Sequence, residues 1–163
     1  MSSFKEAVKR IMGKEEKTKS VTSDVVRDKH VMVVDDIEVN RIILIKILET
    51  MGASCDFAAN GQEAVEKFEA SEPGDYDLIL MDVQMPVMDG YTATRRIRGS
   101  GHPAARSVPI IAMTANAFVD DVREAIESGM DAHIAKPVQI DSLKATIRQV
   151  FDKRAAQAEP SGE

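Results

Sequence analysis

The chain has 163 residues, 44% of them hydrophobic and 29% charged, the size and balance of one globular domain, which excludes a second domain of full size. Lys and Arg total 21 against 27 Asp and Glu, a net charge of −6 that argues against nonspecific nucleic-acid binding and leaves cations or basic partners open. No long uncharged apolar run suggests a transmembrane span, and one cysteine, Cys55, without a charged-then-apolar leader, points to a reducing, cytoplasmic compartment.

The charge is uneven. Residues 1–30 carry +3, leaving −9 for residues 31–163. Phe4, Val8, Ile11 and Met12 recur at helical spacing ahead of a polar run, so residues 1–28 read as a short amphipathic helix and a flexible linker. His30 to Val34 is the first strand. Asp35 and Asp36 follow it, then a helix from Val39 to Met51 stopped by Gly52. Ser54 to Ala58 is a second strand, with Cys55 as a small core residue, and Gly61 to Ala70 a helix with Ala64, Val65 and Phe68 on one face. Leu78 to Met81 is the third strand, ending at Asp82 and a loop punctuated by Pro86 and Gly90 before a basic helix through Arg98. Arg95, Arg96, Arg98 and Arg106 read as a solvated basic face, and Gly99 to Pro103 as an insertion-tolerant loop. Ile110 to Met113 is the fourth strand, Val119 to Ser128 a helix, His133 to Ala135 the fifth strand, and the last helix runs from an N-cap at Asp141 through Phe151. Residues 153–163 are small and polar and read as a disordered tail.

Short apolar strands alternating with helices imply an α/β domain: a five-stranded parallel sheet, doubly wound, with five helices covering both faces. In such sheets ligands bind beyond the carboxyl ends of the strands. This sequence places Asp35, Asp36, Asp82, Thr114 and Lys136 there. A helix-capping or turn role explains any one of them, but not the full set. Three converging carboxylates repel one another, and one lysine cannot neutralise them. A hard divalent cation with oxygen ligands, Mg²⁺, balances the site and suits it to phosphoryl chemistry. The isolated Asp82 is the candidate nucleophile, with Asp35 and Asp36 as metal ligands and Thr114 as a hydrogen-bond donor to the phosphoryl group.

The Asp35–Asp36 pair after a hydrophobic strand, the run Leu78 to Gly90 around Asp82, Met113-Thr114-Ala115 and Ala135-Lys136-Pro137 resemble the receiver domain of two-component response regulators over residues 29–152. The resemblance implies the flavodoxin-like receiver fold and a phosphoacceptor rather than an ordinary enzyme. Asp82 would take the phosphoryl group from phosphohistidine, catalysing its own phosphorylation and dephosphorylation. Asp36, Asp82 and the main-chain carbonyl of Gln84 would bind Mg²⁺, with Asp35 acting mainly through water. Thr114 and Lys136 would contact phosphoryl oxygens, Lys136-Pro137 would be a cis peptide, and Thr114 would pair in a conformational switch with His133, where the family usually has Tyr or Phe. Asn40-Arg41, Asn60 to Ala64, Gly90 to Arg95 and Gly129 to His133 resemble the receivers of hybrid sensor histidine kinases and phosphorelays. The partners implied are a sensor histidine kinase or a histidine phosphotransfer domain. With 29–152 assigned, the length leaves no room for a folded output domain, so the expected output is by contact or phosphotransfer. The alternatives are an excised receiver of a hybrid kinase, an aspartyl-phosphate phosphohydrolase and a phosphorylation-independent scaffold. Against the phosphohydrolase, its second Asp should lie two residues after the first, where this chain has Ile37.

Overall fold

The computed structural model describes residues 25–115 and 119–158. The amphipathic helix expected near the N-terminus and residues 159–163 of the expected tail lie outside the described residues. Five strands alternate with five helices: β1 His30–Val34, α1 Glu38–Thr50, β2 Ser54–Ala58, α2 Gly61–Glu69, β3 Leu78–Asp82, α3 Gly90–Arg98, β4 Ile110–Thr114, α4 Val119–Ser128, β5 Ala132–Ala135 and α5 Ile140–Ala158. All strand pairs are parallel, in the order β2-β1-β3-β4-β5. After β1 the chain steps outward to β2, then crosses back to place β3 on the other side of β1. The carboxyl ends of β1 and β3 therefore flank the point where strand order reverses, the crevice that such sheets use for ligands.

β1, β3 and β4 are apolar on both faces because each face is covered. Val31, Val33, Leu78, Leu80, Ile111 and Met113 pack with Leu44 and Leu48 of α1 and Leu143, Ile147 and Val150 of α5. Met32, Val34, Ile79, Met81, Ile110 and Ala112 pack with Val65 and Phe68 of α2, Ala93 and Ile97 of α3 and Ala125 of α4. Each fully buried side chain of this size contributes about 1.5–3 kcal/mol. Val26, in the segment read as linker, is fully buried in the α1–α5 layer. β2 is an edge strand with only one ladder, so Cys55 is partly exposed while still packing against the α1–α5 core.

Other expectations need correction. The last helix starts at Ile140, one residue before the expected Asp141 cap, and continues through Ala158 into the segment read as a tail. Arg154 explains the extension: its Nε and Nη2 lie 3.1 and 2.8 Å from Asp131 Oδ1, and Nη1 donates to the Arg106 carbonyl at 2.9 Å. Nor is Arg98 on a solvated face. Its guanidinium donates to the carbonyls of Gly129, Ala105 and Val108 and pairs with Asp131 at 3.2 Å. The α3–β4 loop is likewise tied down, since His102 Nδ1 accepts from the Ala104 amide at 2.9 Å and Nε2 donates to the Ser71 carbonyl at 2.8 Å.

Candidate functional site

Strand geometry builds the site. Asp82 is the last residue of β3 and Thr114 the last of β4, one residue further along each strand than the apolar runs suggested. Asp35 and Asp36 leave β1 beside them, because Val34 pairs with Met81. One ligand oxygen from each of Asp35, Asp36 and Asp82 lies within 4.8 Å of the others. Lys136, just past β5, reaches across: its Nζ lies 3.2 Å from Asp35 Oδ2 and 3.1 Å from Asp82 Oδ1. The Lys136 amide also donates to the Thr114 carbonyl at 2.9 Å, and the Lys136–Pro137 peptide is cis.

Asp35 holds the entrance to α1. Its Oδ1 accepts from the Ile37 amide at 3.0 Å, satisfying a helix start whose N-cap, Ile37, has no capping side chain. The turn role open to any Asp after a strand is thus real for Asp35, alongside its place in the cluster. On the other side, the Asp89 side chain caps α3 by accepting from the Thr92 amide at 2.8 Å. Asp35 and Asp82 are buried at 2% and 4% exposure, and Asp36 is the least buried of the three.

Burial first, then the Asp35 charge, pushes the Asp82 carboxyl up to about 6 against the pull of Lys136, with Asp36 adding to the rise. Lys136 is held above the usual lysine range: burial opposes its charge, but the Asp82 and Asp35 carboxylates outweigh it. Three carboxylates against one ammonium leave the cluster at formal charge −2. Clustered hard oxygen donors with unbalanced negative charge fit a divalent cation.

Thr114 is buried beside the site at 7% exposure. His133 pairs in register with Ala112, and strand alternation turns it away from the buried Ile134, toward the α2–α3–α4 face. The sequence does not say which α1 residues face solvent. The structure exposes Ile37, Val39, Ile42 and Ile43 and buries Leu44 and Leu48. Periodicity could not separate them, since the helix is apolar nearly all round. Two further contributors have roles that their sequence does not show. Arg41 donates from Nη1 to the Asp35 carbonyl at 2.9 Å. Gly90 packs against the Asp82 main chain, and its amide donates to the Val83 carbonyl at 2.9 Å. The sequence showed an Asn40-Arg41 pair and an Asp89-Gly90 turn, but neither marks which backbone it touches.

Residues 31–148 match the response regulator receiver domain. The chain is 47% identical over 124 residues to two-component system protein A of Emericella nidulans, covering 76% of this chain and 17% of that protein. It is 37% identical over 123 residues to the aerobic respiration control sensor protein ArcB of Escherichia coli, covering 76% of this chain and 15% of ArcB. The chain therefore spans well under a fifth of the length of these relatives. Among solved structures it is similar to the receiver domain of a sensor histidine kinase from Pseudomonas aeruginosa, which has a magnesium ion coordinated in its active site cleft. That likeness has a TM-score of 0.68 at 35% identity and covers 77% of this chain and 98% of the other. A CheY-like receiver from Methanospirillum hungatei matches with a TM-score of 0.69 at 25% identity, covering 80% of this chain and 98% of that one. No described helix is long and apolar enough to cross a membrane. With the acidic crevice at the β1–β3 crossover and a family match over most of its length, the chain belongs to the receiver domains of two-component response regulators.

Proposed function

We propose that Asp82 accepts a phosphoryl group from a phosphohistidine. A carboxylate oxygen of Asp82 attacks phosphorus, the P–O bond forms, and the P–N bond breaks with its electron pair remaining on the imidazole nitrogen. The observation that carries this reading is the pairing of Asp82 with Lys136 inside a cluster that holds two further carboxylates. Lys136 neutralises charge on the incoming oxygens, and Thr114, at the end of the neighbouring strand, supplies a hydroxyl to them. Asp36, Asp82 and the Gln84 carbonyl would hold Mg²⁺, with Asp35 acting mainly through water; the bound ion would offset charge on the phosphoryl oxygens. Thr114 and His133 are the proposed switch pair, with an imidazole standing where the family usually has Tyr or Phe.

The partner surface follows from exposure. A groove of about 400 Å³ runs beside the site, lined by Asp35, Lys136, Asn40, Ile43, Ile47 and Val138 among others. Ile43, which lines it, is exposed, as are Val39 and Ile42 on the same helix. This suits the apolar helical face of a histidine kinase or histidine phosphotransfer domain presenting its phosphohistidine.

Incubation with Mg²⁺ and a phosphohistidine or small-molecule phosphodonor, followed by intact mass, tests the proposal. One hydroxylamine-labile phosphate is expected, absent in Asp82→Ala. A hydroxylamine-stable adduct, or equal labelling of the variant, would reject it.

A further inference from the structure

The Asp35–Asp36 loop is held from outside as well as from within. Inside it, Asp35 Oδ1 accepts from the Ile37 amide, and the Asp35 amide donates to the Ala58 carbonyl at 3.2 Å. The Asp35 carbonyl instead accepts from Arg41 Nη1 at 2.9 Å. Arg41 lies in the first turn of α1, where side chains lean back toward the helix start, so the reach is natural. Its guanidinium carbon sits 4.8 Å from the centre of the Phe57 ring on the edge strand β2. Phe57 is 43% exposed, yet its surroundings are fixed. Lys67 Nζ lies 5.0 Å from the same ring centre, donates to the Phe57 carbonyl and pairs with Asp56 at 3.2 Å. Asp56 in turn accepts from the Tyr76 hydroxyl at 2.7 Å.

Among the described residues no hydrogen bond or ion pair holds the Asp36 carboxylate. What aims it is the backbone. A peptide unit is planar, so pinning the Asp35 carbonyl sets the plane of the peptide that leads into Asp36. We propose that Arg41, braced on Phe57, is a positioning residue that orients the acidic loop so that Asp36 and Asp35 converge with Asp82 on a divalent cation. This rests on the metal-site reading above and adds a cause for its geometry. Arg41 reaches the acidic loop through the Asp35 carbonyl and touches neither carboxylate among the described contacts, so its action on the cation is indirect.

Charge and positioning make opposite predictions. Arg41 is a cation beside an anionic site, so on electrostatics alone its removal would tighten Mg²⁺ binding. As a positioning residue its removal loosens it. Mg²⁺ is titrated into the metal-free chain, followed by amide NMR shifts of residues 35, 36 and 82 and by calorimetry, with thermal unfolding of each metal-free form as a fold control. Arg41→Ala should raise the Mg²⁺ dissociation constant about tenfold, Phe57→Leu should raise it in the same direction, and Arg41→Lys, which keeps a donor and a charge, should recover most of the loss. Unchanged or tighter binding in Arg41→Ala, with the unaltered chain binding normally, would overturn the inference alone. Failure of the unaltered chain to bind Mg²⁺ would overturn the metal-site reading and this inference with it.

Discussion

The α-carbon of Gly90 lies so close to the main-chain carbonyl oxygen of Asp82 that a side-chain carbon on Gly90 would collide with it, and with the α-carbon of Val83 at 3.0 Å. The start of α3 is thereby packed onto the end of the strand that carries the central carboxylate. Backbone cannot yield as a flexible side chain can. Gly90→Ala should therefore destabilise the domain by about 1–3 kcal/mol and shift the Asp82 amide resonance. Urea unfolding and amide NMR check both effects, and a variant as stable as the parent would refute the close approach.

Asp82 makes the metal-free domain sensitive to pH. Its carboxyl is raised from the ordinary 3.8 to about 6, chiefly by burial and the Asp35 charge. The native state then binds this proton more tightly than the unfolded chain does, so stability falls as pH rises from about 4 through 6 and stays lowered above. Asp82→Asn removes that penalty. In EDTA it should be more stable than the parent at pH 7.5, by on the order of 2 kcal/mol, with the gain shrinking toward pH 4. Saturating Mg²⁺ should narrow the difference by stabilising the parent more than the variant. Denaturant melts across pH, with and without Mg²⁺, measure this.

Asp131 supports the far side of the sheet. It pairs with both Arg98 and Arg154 and accepts the Ile110 amide at 2.9 Å. Burial pulls the Arg98 guanidinium down to about 10 despite the Asp131 charge. Asp131 is half-buried and faces two guanidiniums, so Asp131→Ala, which strands both charges, should cost about 3 kcal/mol. Arg154→Ala should cost less and speed hydrogen exchange in the last turns of α5, since Arg154 ties that end of the helix to Asp131 and to the Arg106 carbonyl. Equal losses from the two substitutions would contradict this ordering.

Val87 has φ 72° and is 79% exposed in the β3–α3 loop. A β-branched residue is strained in the left-handed region, and its exposed side chain gains little from burial there. Val87→Asn, which tolerates that conformation, should raise stability by about 1 kcal/mol, read as a higher urea midpoint. A lower midpoint would show that the valine side chain contributes packing that outweighs the strain.

The five strands, the five helices and the identity of the residues at the strand ends are legible in the sequence. Each is a local property: apolar runs of strand length, helical periodicity, and turn residues at fixed positions. Asp35, Asp36, Asp82, Thr114 and Lys136 stood out because all five sit at the same end of parallel strands. Packing in three dimensions sets which α1 residues are exposed, because Ile42, Ile43, Leu44 and Leu48 are equally apolar and only the direction of the sheet separates them. It also decided the end of α5, where Arg154 finds Asp131 across 23 residues of chain. Arg98 and Arg41 follow the same rule. An arginine in a sequence carries charge and reach, but whether it meets solvent, a half-buried carboxylate or the carbonyl of an acidic loop depends on backbone that lies near it only after folding.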